Sequence, residues 1–181
     1  PVIKHPRTGM IIHPYPLGES MPEESREGDR RKALAEWLTS PDNQWFSRNL
    51  ANRIWAHFMG KGLTMPLDDL RNTNPPTNPE LLDRLSKHLV KIGFDLKAMI
   101  RLITSSAAYG LSSKPNASNM GDESNFSRAL FRRMPAEVLM DAVCDVTGVD
   151  EKFEGVPSGH RAIQLWDSQV NHYFLKLFGR P

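Results

Sequence analysis

The sequence predicts an all-α fold, an irregular array of five or six helices with long loops and an N-terminal extended arm able to form a small β-hairpin. Three observations lead there. Helix start and stop signals bracket successive segments after residue 29. Within those segments apolar residues recur at three- and four-residue spacing. Strand-like runs, by contrast, are confined to the first dozen residues.

Residues 1–28 read as an arm or linker, and residues 29–181 as the helical domain. Five of the 14 prolines fall in the arm (Pro1, Pro6, Pro14, Pro16 and Pro22), each fixing φ and removing a donor, so no helix can run through it. Val2-Ile3 and Met10-Ile11-Ile12 flank Pro6-Arg7-Thr8-Gly9 as the two sides of a hairpin. Asp29 then caps a helix carrying Leu34, Trp37 and Leu38 on one side. Ser40-Pro41-Asp42 predicts a fresh start, with a cap, a proline at the first helical position and an acid in the first turn. That second helix runs to about Met59 and ends at Gly60. Phe46, Leu50, Ala51, Ile54, Trp55 and Phe58 sweep about half its circumference, which makes it central, with His57 inside the apolar arc. Arg48, Asn49, Asn52 and Arg53 take the other half.

A long irregular stretch follows to Pro79. Asn78-Pro79-Glu80 starts a third helix with Leu81, Leu82, Leu85, Leu89 and Ile92 inward and Gly93 closing it. Asp95 caps a fourth holding Leu96, Met99, Ile100 and Ile103. Residues 110–125 are rich in Ser, Asn and Gly and read as loop. A fifth helix from Met134-Pro135 to Gly148 carries Leu139, Val143 and Val146, and a last one covers about Ser168–Phe178.

Composition narrows the function classes. Lys+Arg minus Asp+Glu is 23 − 21 = +2, and the basic residues are dispersed, so no nucleic-acid partner is expected. Hydrophobic residues at 39% are enough for a core, yet no apolar run is long enough to span a membrane. The single cysteine, Cys144, permits no internal disulfide and reads as a small buried hydrophobe. The chain opens without an initiating Met or an apolar leader core and stops at Phe178-Gly179-Arg180-Pro181, as expected of an excerpt from a longer chain.

Three constellations could carry chemistry. Arg53 with His57, Asp68, Asp69, Arg71 and Asn72 is a candidate polar site. A guanidinium at the edge of an apolar arc needs carboxylates, which would make this an ion-pair network pinning the loop, a ligand-gripping pocket, or a general acid–base pair. Glu137, Asp141 and Asp145 form an acidic stripe on the fifth helix, with Arg132 and Arg133 just before it, so Arg132, Arg133, Glu137 and Asp141 are a candidate ion-pair cluster. A metal there would be the alternative, although an all-carboxylate site usually also draws on loop oxygens. His5, His13, His57, His88, His160 and His172 are scattered without metal-binding spacing, so no metal and no cofactor are expected in this segment. His57 itself reads as a core or interface residue rather than a base. Trp37, Trp45, Trp55 and Trp166 could stack on sugars or bases, but three lie on amphipathic helices, which favours core packing. No G-x-S-x-G, P-loop or S-x-x-K motif is present. No reaction follows from these residues.

Several runs taken jointly resemble a planctomycete domain family of unknown function. They include Leu34-Ala35-Glu36-Trp37-Leu38-Thr39-Ser40-Pro41-Asp42, Asn52-Arg53-Ile54-Trp55, Pro66-Leu67-Asp68-Asp69-Leu70-Arg71, Asn74-Pro75-Pro76, Arg132-Arg133-Met134-Pro135-Ala136-Glu137 and Phe178-Gly179-Arg180-Pro181. The likeness covers about residues 2–181. It departs at Gln44 and Trp166, where proline is expected. The resemblance implies a large exported parent protein, in the periplasm or cell envelope, whose neighbouring domains are cytochrome c-like and hold haem. It implies no established activity and no catalytic residues. The expectation is a docking or interaction domain whose partners are the flanking domains. The rival is a hydrolase or carbohydrate-binding domain acting in complex polysaccharide breakdown.

Overall fold

The computed structural model describes residues 3–12, 29–166 and 170–180. The chain divides into two units, residues 1–130 and 131–181. The first opens with an antiparallel pair, β1 (Ile3–Lys4) and β2 (Ile11–Ile12), in the register Ile3 opposite Ile12 and Lys4 opposite Ile11. Gly9, at φ 70°, makes the turn, where the His5 imidazole Nδ1 accepts from the Arg7 and Thr8 amides. The linker expected over residues 13–28 lies outside the described residues.

Four helices follow: α1 (Arg30–Thr39), α2 (Gln44–Met59), α3 (Pro79–Lys91) and α4 (Leu96–Thr104). The Asp29 carboxylate caps α1, Asn78 caps α3 with Pro79 at its first position, and Asp95 caps α4. α2 starts later than Ser40-Pro41-Asp42 predicts. Its cap is Asn43, whose Oδ1 accepts from the Trp45 and Phe46 amides at 3.1 and 3.2 Å. The same carboxamide donates to the Trp37 carbonyl at 3.1 Å. One buried side chain thus closes α1 and opens α2, and Pro41-Asp42 is left as the turn between them.

The first core joins Ala51, Trp55 and Met59 of α2 to Leu63, Leu82, Leu85, Leu89, Met99 and Ile103. Leu50, Ile54 and Phe58 pack on its margin, so α2 is the central helix. Three inward assignments change. Leu34 and Leu96 are exposed; Leu96 is the first residue of α4, ahead of Met99 and Ile103, which that helix buries. His57 is exposed as well, its ring edge-on to Phe58 at 5.0 Å. Conversely Asn52, expected on the polar side, is fully buried.

The polar stretch 110–127 lacks helix but is held by Asp122. Its carboxylate accepts the amides of Ser124, Asn125 and Ser127 at 3.0, 2.8 and 3.2 Å, and also the Ser127 hydroxyl. This turn presents Phe126, at φ 55°, edge-on to Trp55 with ring centroids 5.1 Å apart.

The second unit contains α5 (Ala136–Thr147), a 3₁₀ turn (Ala162–Gln164) and α6 (Tyr173–Leu177). The last helix is shorter than Ser168–Phe178, and residues 167–169 lie outside the described residues. Its core is Ala136, Met140, Phe153, Ala162 and Leu175, with Cys144 packed alongside. Of the apolar residues Leu139, Val143 and Val146 on α5, Val143 and Val146 are exposed. Asp141 explains this. It is buried on the Ala136–Met140 side and accepts the Ala162 and Ile163 amides at 2.7 and 3.2 Å, which fixes the helix's rotation.

Candidate functional site

The loop after α2 is tied to the helix by a buried amide pair. Asn52 Nδ2 donates to the Thr64 carbonyl at 3.0 Å, and the Thr64 amide donates to Asn52 Oδ1 at 3.1 Å. An asparagine satisfies both backbone groups of one residue, as a strand neighbour would. Gly62 makes the approach possible, because a Cβ there would stand 2.6 Å from the Thr64 oxygen and 3.0 Å from Asn52 Oδ1. Thr77 closes the loop, its amide donating to the Leu63 carbonyl at 2.7 Å, and Asn74 Nδ2 donates to the Asp69 carbonyl at 2.9 Å.

The predicted polar residues sit on this frame. Arg53 is oriented by Asn49 Oδ1, 3.0 Å from its Nε, and its Nη2 bonds Asp68. Arg71 forks onto Asp69 at 2.6 and 2.7 Å. The Arg71 guanidinium holds the Asp69 carboxyl below the usual carboxylate range, and that carboxylate raises Arg71 in turn. Asp68 and Asp69 therefore face different guanidiniums. Asp68 is 74% exposed, an arrangement of solvated ion pairs.

Arg71 and Asn72 do more than pair. With Gln44, Trp45, Arg48 and Thr64 they line a groove of about 410 Å³ between the first turns of α2 and the loop. Arg53, His57, Asp68 and Asp69 are not part of its lining. Sequence reasoning missed Trp45, Arg48 and Thr64 here. The signal was present: Trp45 stands on the side of α2 opposite the centre of the apolar arc, at the helix's first turn, where a core role is hard to satisfy.

In the second unit Asp141 and Asp145 pair with Arg161, at 3.4 and 2.8 Å, and Glu137 pairs with Arg180 at 3.2 Å. Asp145, then Asp141, raise the Arg161 guanidinium's pKa. Proximity in sequence pointed to Arg132 and Arg133, which are exposed at the start of α5. Arg161 and Arg180, which pair with the stripe, come from far downstream, a partnership no local spacing encodes. Arg133, Glu137 and Arg180 do border one open depression. Among the described residues no group of three or more His, Cys, Asp or Glu is arranged to hold a metal ion. Nor is any of the described helices long and apolar enough to cross a membrane.

No curated protein matches this chain, and no solved structure does. The model of the PSD1 family, described as protein of unknown function (DUF1553), matches residues 30–181, so the match takes in α1 to α6 with both the groove and the acidic stripe. The chain belongs to that family.

Proposed function

We propose that this chain is a non-catalytic docking module within a larger exported protein, and that its partners are the flanking, haem-bearing domains of that parent. The observation that carries this reading is the rotation of α5. Val138, Val143 and Val146 are exposed, Val146 at 88%, while the adjoining arc of the same helix, Ala136, Met140 and Cys144, packs into the core. A helix whose apolar residues reach well beyond its buried arc is built to be covered there as well. The fate of the charged residues supports the same reading. Asp68, Asp69, Asp141 and Asp145 are each engaged by a guanidinium, the arrangement of structural ion pairs rather than of an acid–base pair held apart around a reacting atom.

Hydrogen exchange of α5 in the 181-residue chain and in the parent protein tests this. The valine-bearing turns become protected in the parent, and Val146→Asp removes that protection without altering the melting temperature of the 181-residue chain. Equal exchange of α5 in both contexts would refute docking through this face.

A further inference from the structure

We infer that the groove between α2 and the loop 64–76 is a binding site for an acidic pyranose, a sugar ring of a uronic-acid-containing glycan. This goes beyond docking: the groove belongs to the first unit, whereas the valine face of α5 belongs to the second.

The walls have a definite chemistry. Trp45 is 57% exposed on the rim, an indole presented to water rather than to the core. Arg48 and Arg71 supply two guanidiniums, and no carboxylate is among the lining residues. The carboxylates stand behind them. Asp83 braces Arg48 at 3.2 Å and Asp69 braces Arg71, so both forks are held in place. A guanidinium has five N–H donors, and these braces use one or two of them. The positive end of α2 opens at Gln44 and adds to the same field. At the floor, Thr64 is 2% exposed and its hydroxyl has no hydrogen-bond partner among the described residues. Gln44 and Asn72 contribute carboxamides, which both donate and accept.

Each part matches one feature of an acidic sugar. The C–H face of a pyranose covers an indole, a carboxylate fits a guanidinium fork, and ring hydroxyls need groups that donate and accept together. A groove of about 410 Å³ falls within the roughly 300–1,000 Å³ of small-ligand sites. An acidic peptide would use the arginines alone. It would be expected to seek a sheet edge or a row of apolar pockets, and the groove walls are helix and loop.

Calorimetric titration of the whole 181-residue chain with trimers of galacturonic, glucuronic and mannuronic acid tests the assignment. Neutral hexose trimers of the same linkage and triglutamate are the comparators. At least one uronate binds, its neutral counterpart binds about tenfold more weakly or less, and triglutamate does no better than the neutral sugar. Trp45→Ala and Arg71→Gln each lower uronate affinity about tenfold at unchanged melting temperature. Arg71 is an exposed loop residue, so its variant folds even should Trp45→Ala not. Val146→Asp leaves the affinity unchanged, which separates this site from the docking face. Binding of no uronate, equal binding of neutral trimers, binding of triglutamate at uronate strength, or full affinity in Arg71→Gln would each overturn it.

Discussion

At the scale of single residues, Asn52 and Asp122 organise the two long loops of the first unit in the same way: one side chain substitutes for a run of missing backbone partners. Asn52 is fully buried and serves both the amide and the carbonyl of Thr64. Asn52→Leu keeps the bulk and strands both groups, at about 1–3 kcal/mol each, so urea unfolding should show a loss of about 3 kcal/mol. A loss below about 1 kcal/mol would mean the loop holds itself. Gly62→Ala acts on the same joint from the other side. The added methyl meets the Thr64 carbonyl oxygen, which is backbone and cannot swing aside, so a loss of about 1–3 kcal/mol is expected in the same assay. Asp122 makes a prediction in pH. The Ser127 hydroxyl first, then the Ser124 and Asn125 amides, hold its carboxyl well below the usual range. Its folded value is depressed, so its contribution to stability is full above the unfolded pKa of about 4. That contribution declines as pH falls from there, and is gone once the pH has passed the folded value. The Asp122 carboxyl carbon should stay in its ionised position in NMR spectra at pH 3, where a solvated aspartate is mostly protonated; a midpoint near 4 would contradict the hydrogen bonds. Both Asn52 and Asp122 stand in the sequence as ordinary polar residues. Spacing alone places Asn52 on the solvated half of α2, because a helical wheel weighs polarity and cannot see a distant amide that needs a partner.

At the scale of elements, the legible features were those written in local chemistry. Asp29, Asn78-Pro79 and Asp95 start their helices where a capping carboxylate or carboxamide stands, and Gly60 and Gly148 end theirs at φ 85° and 67°. The hairpin in the arm likewise follows from two β-prone runs about a glycine turn. Rotation was harder to read than position. On α3 the leucines define one face and it is the buried face. On α5 two faces qualify, Ala136–Met140–Cys144 and Leu139–Val143–Val146, and bulk alone favours the wrong one. The buried face is decided by Asp141, which must reach the amides at Ala162 and Ile163. Energetics should separate the two faces cleanly. Met140→Ala removes a core side chain and is expected to cost about 2–5 kcal/mol. Val146→Ala removes an exposed one and should stay within about 0.5 kcal/mol. The reverse order in denaturant titrations would mean that α5 is turned about its axis, and the docking face would go with it. The candidate polar residues divide along the same line. Arg53–Asp68 and Asp69–Arg71 were foreseeable as pairs from their place beside α2, whereas the groove that Arg71 lines needed Trp45 and Thr64 brought together across the loop.

At the scale of the whole chain, two hydrophobic clusters are drawn from separate stretches of sequence. The first is built around α2, α3 and α4, and the second from α5, the 3₁₀ turn and α6. The second belongs to the shorter unit, residues 131–181, and small bodies bury a smaller share of their surface and are correspondingly marginal. Its structure depends heavily on polar joints: Asp141 on two amides, Arg161 on two carboxylates, and Arg180, side chain 8% exposed, on Glu137. A unit of that kind should open before one whose centre is a sixteen-residue helix clad in leucine and methionine. Leu175→Ala and Leu89→Ala, each at a residue with almost no exposure, form the matched test. Each truncation should cost about 2–5 kcal/mol locally. Read by hydrogen exchange at peptide resolution, Leu175→Ala should speed exchange in α5 and α6 and leave α2 and α3 at wild-type rates. Leu89→Ala should deprotect α2, α3 and α4 together. Uniform loss of protection along the chain from either variant would show one cooperative body, and the small unit's exposed valines would then need to be explained within that single fold.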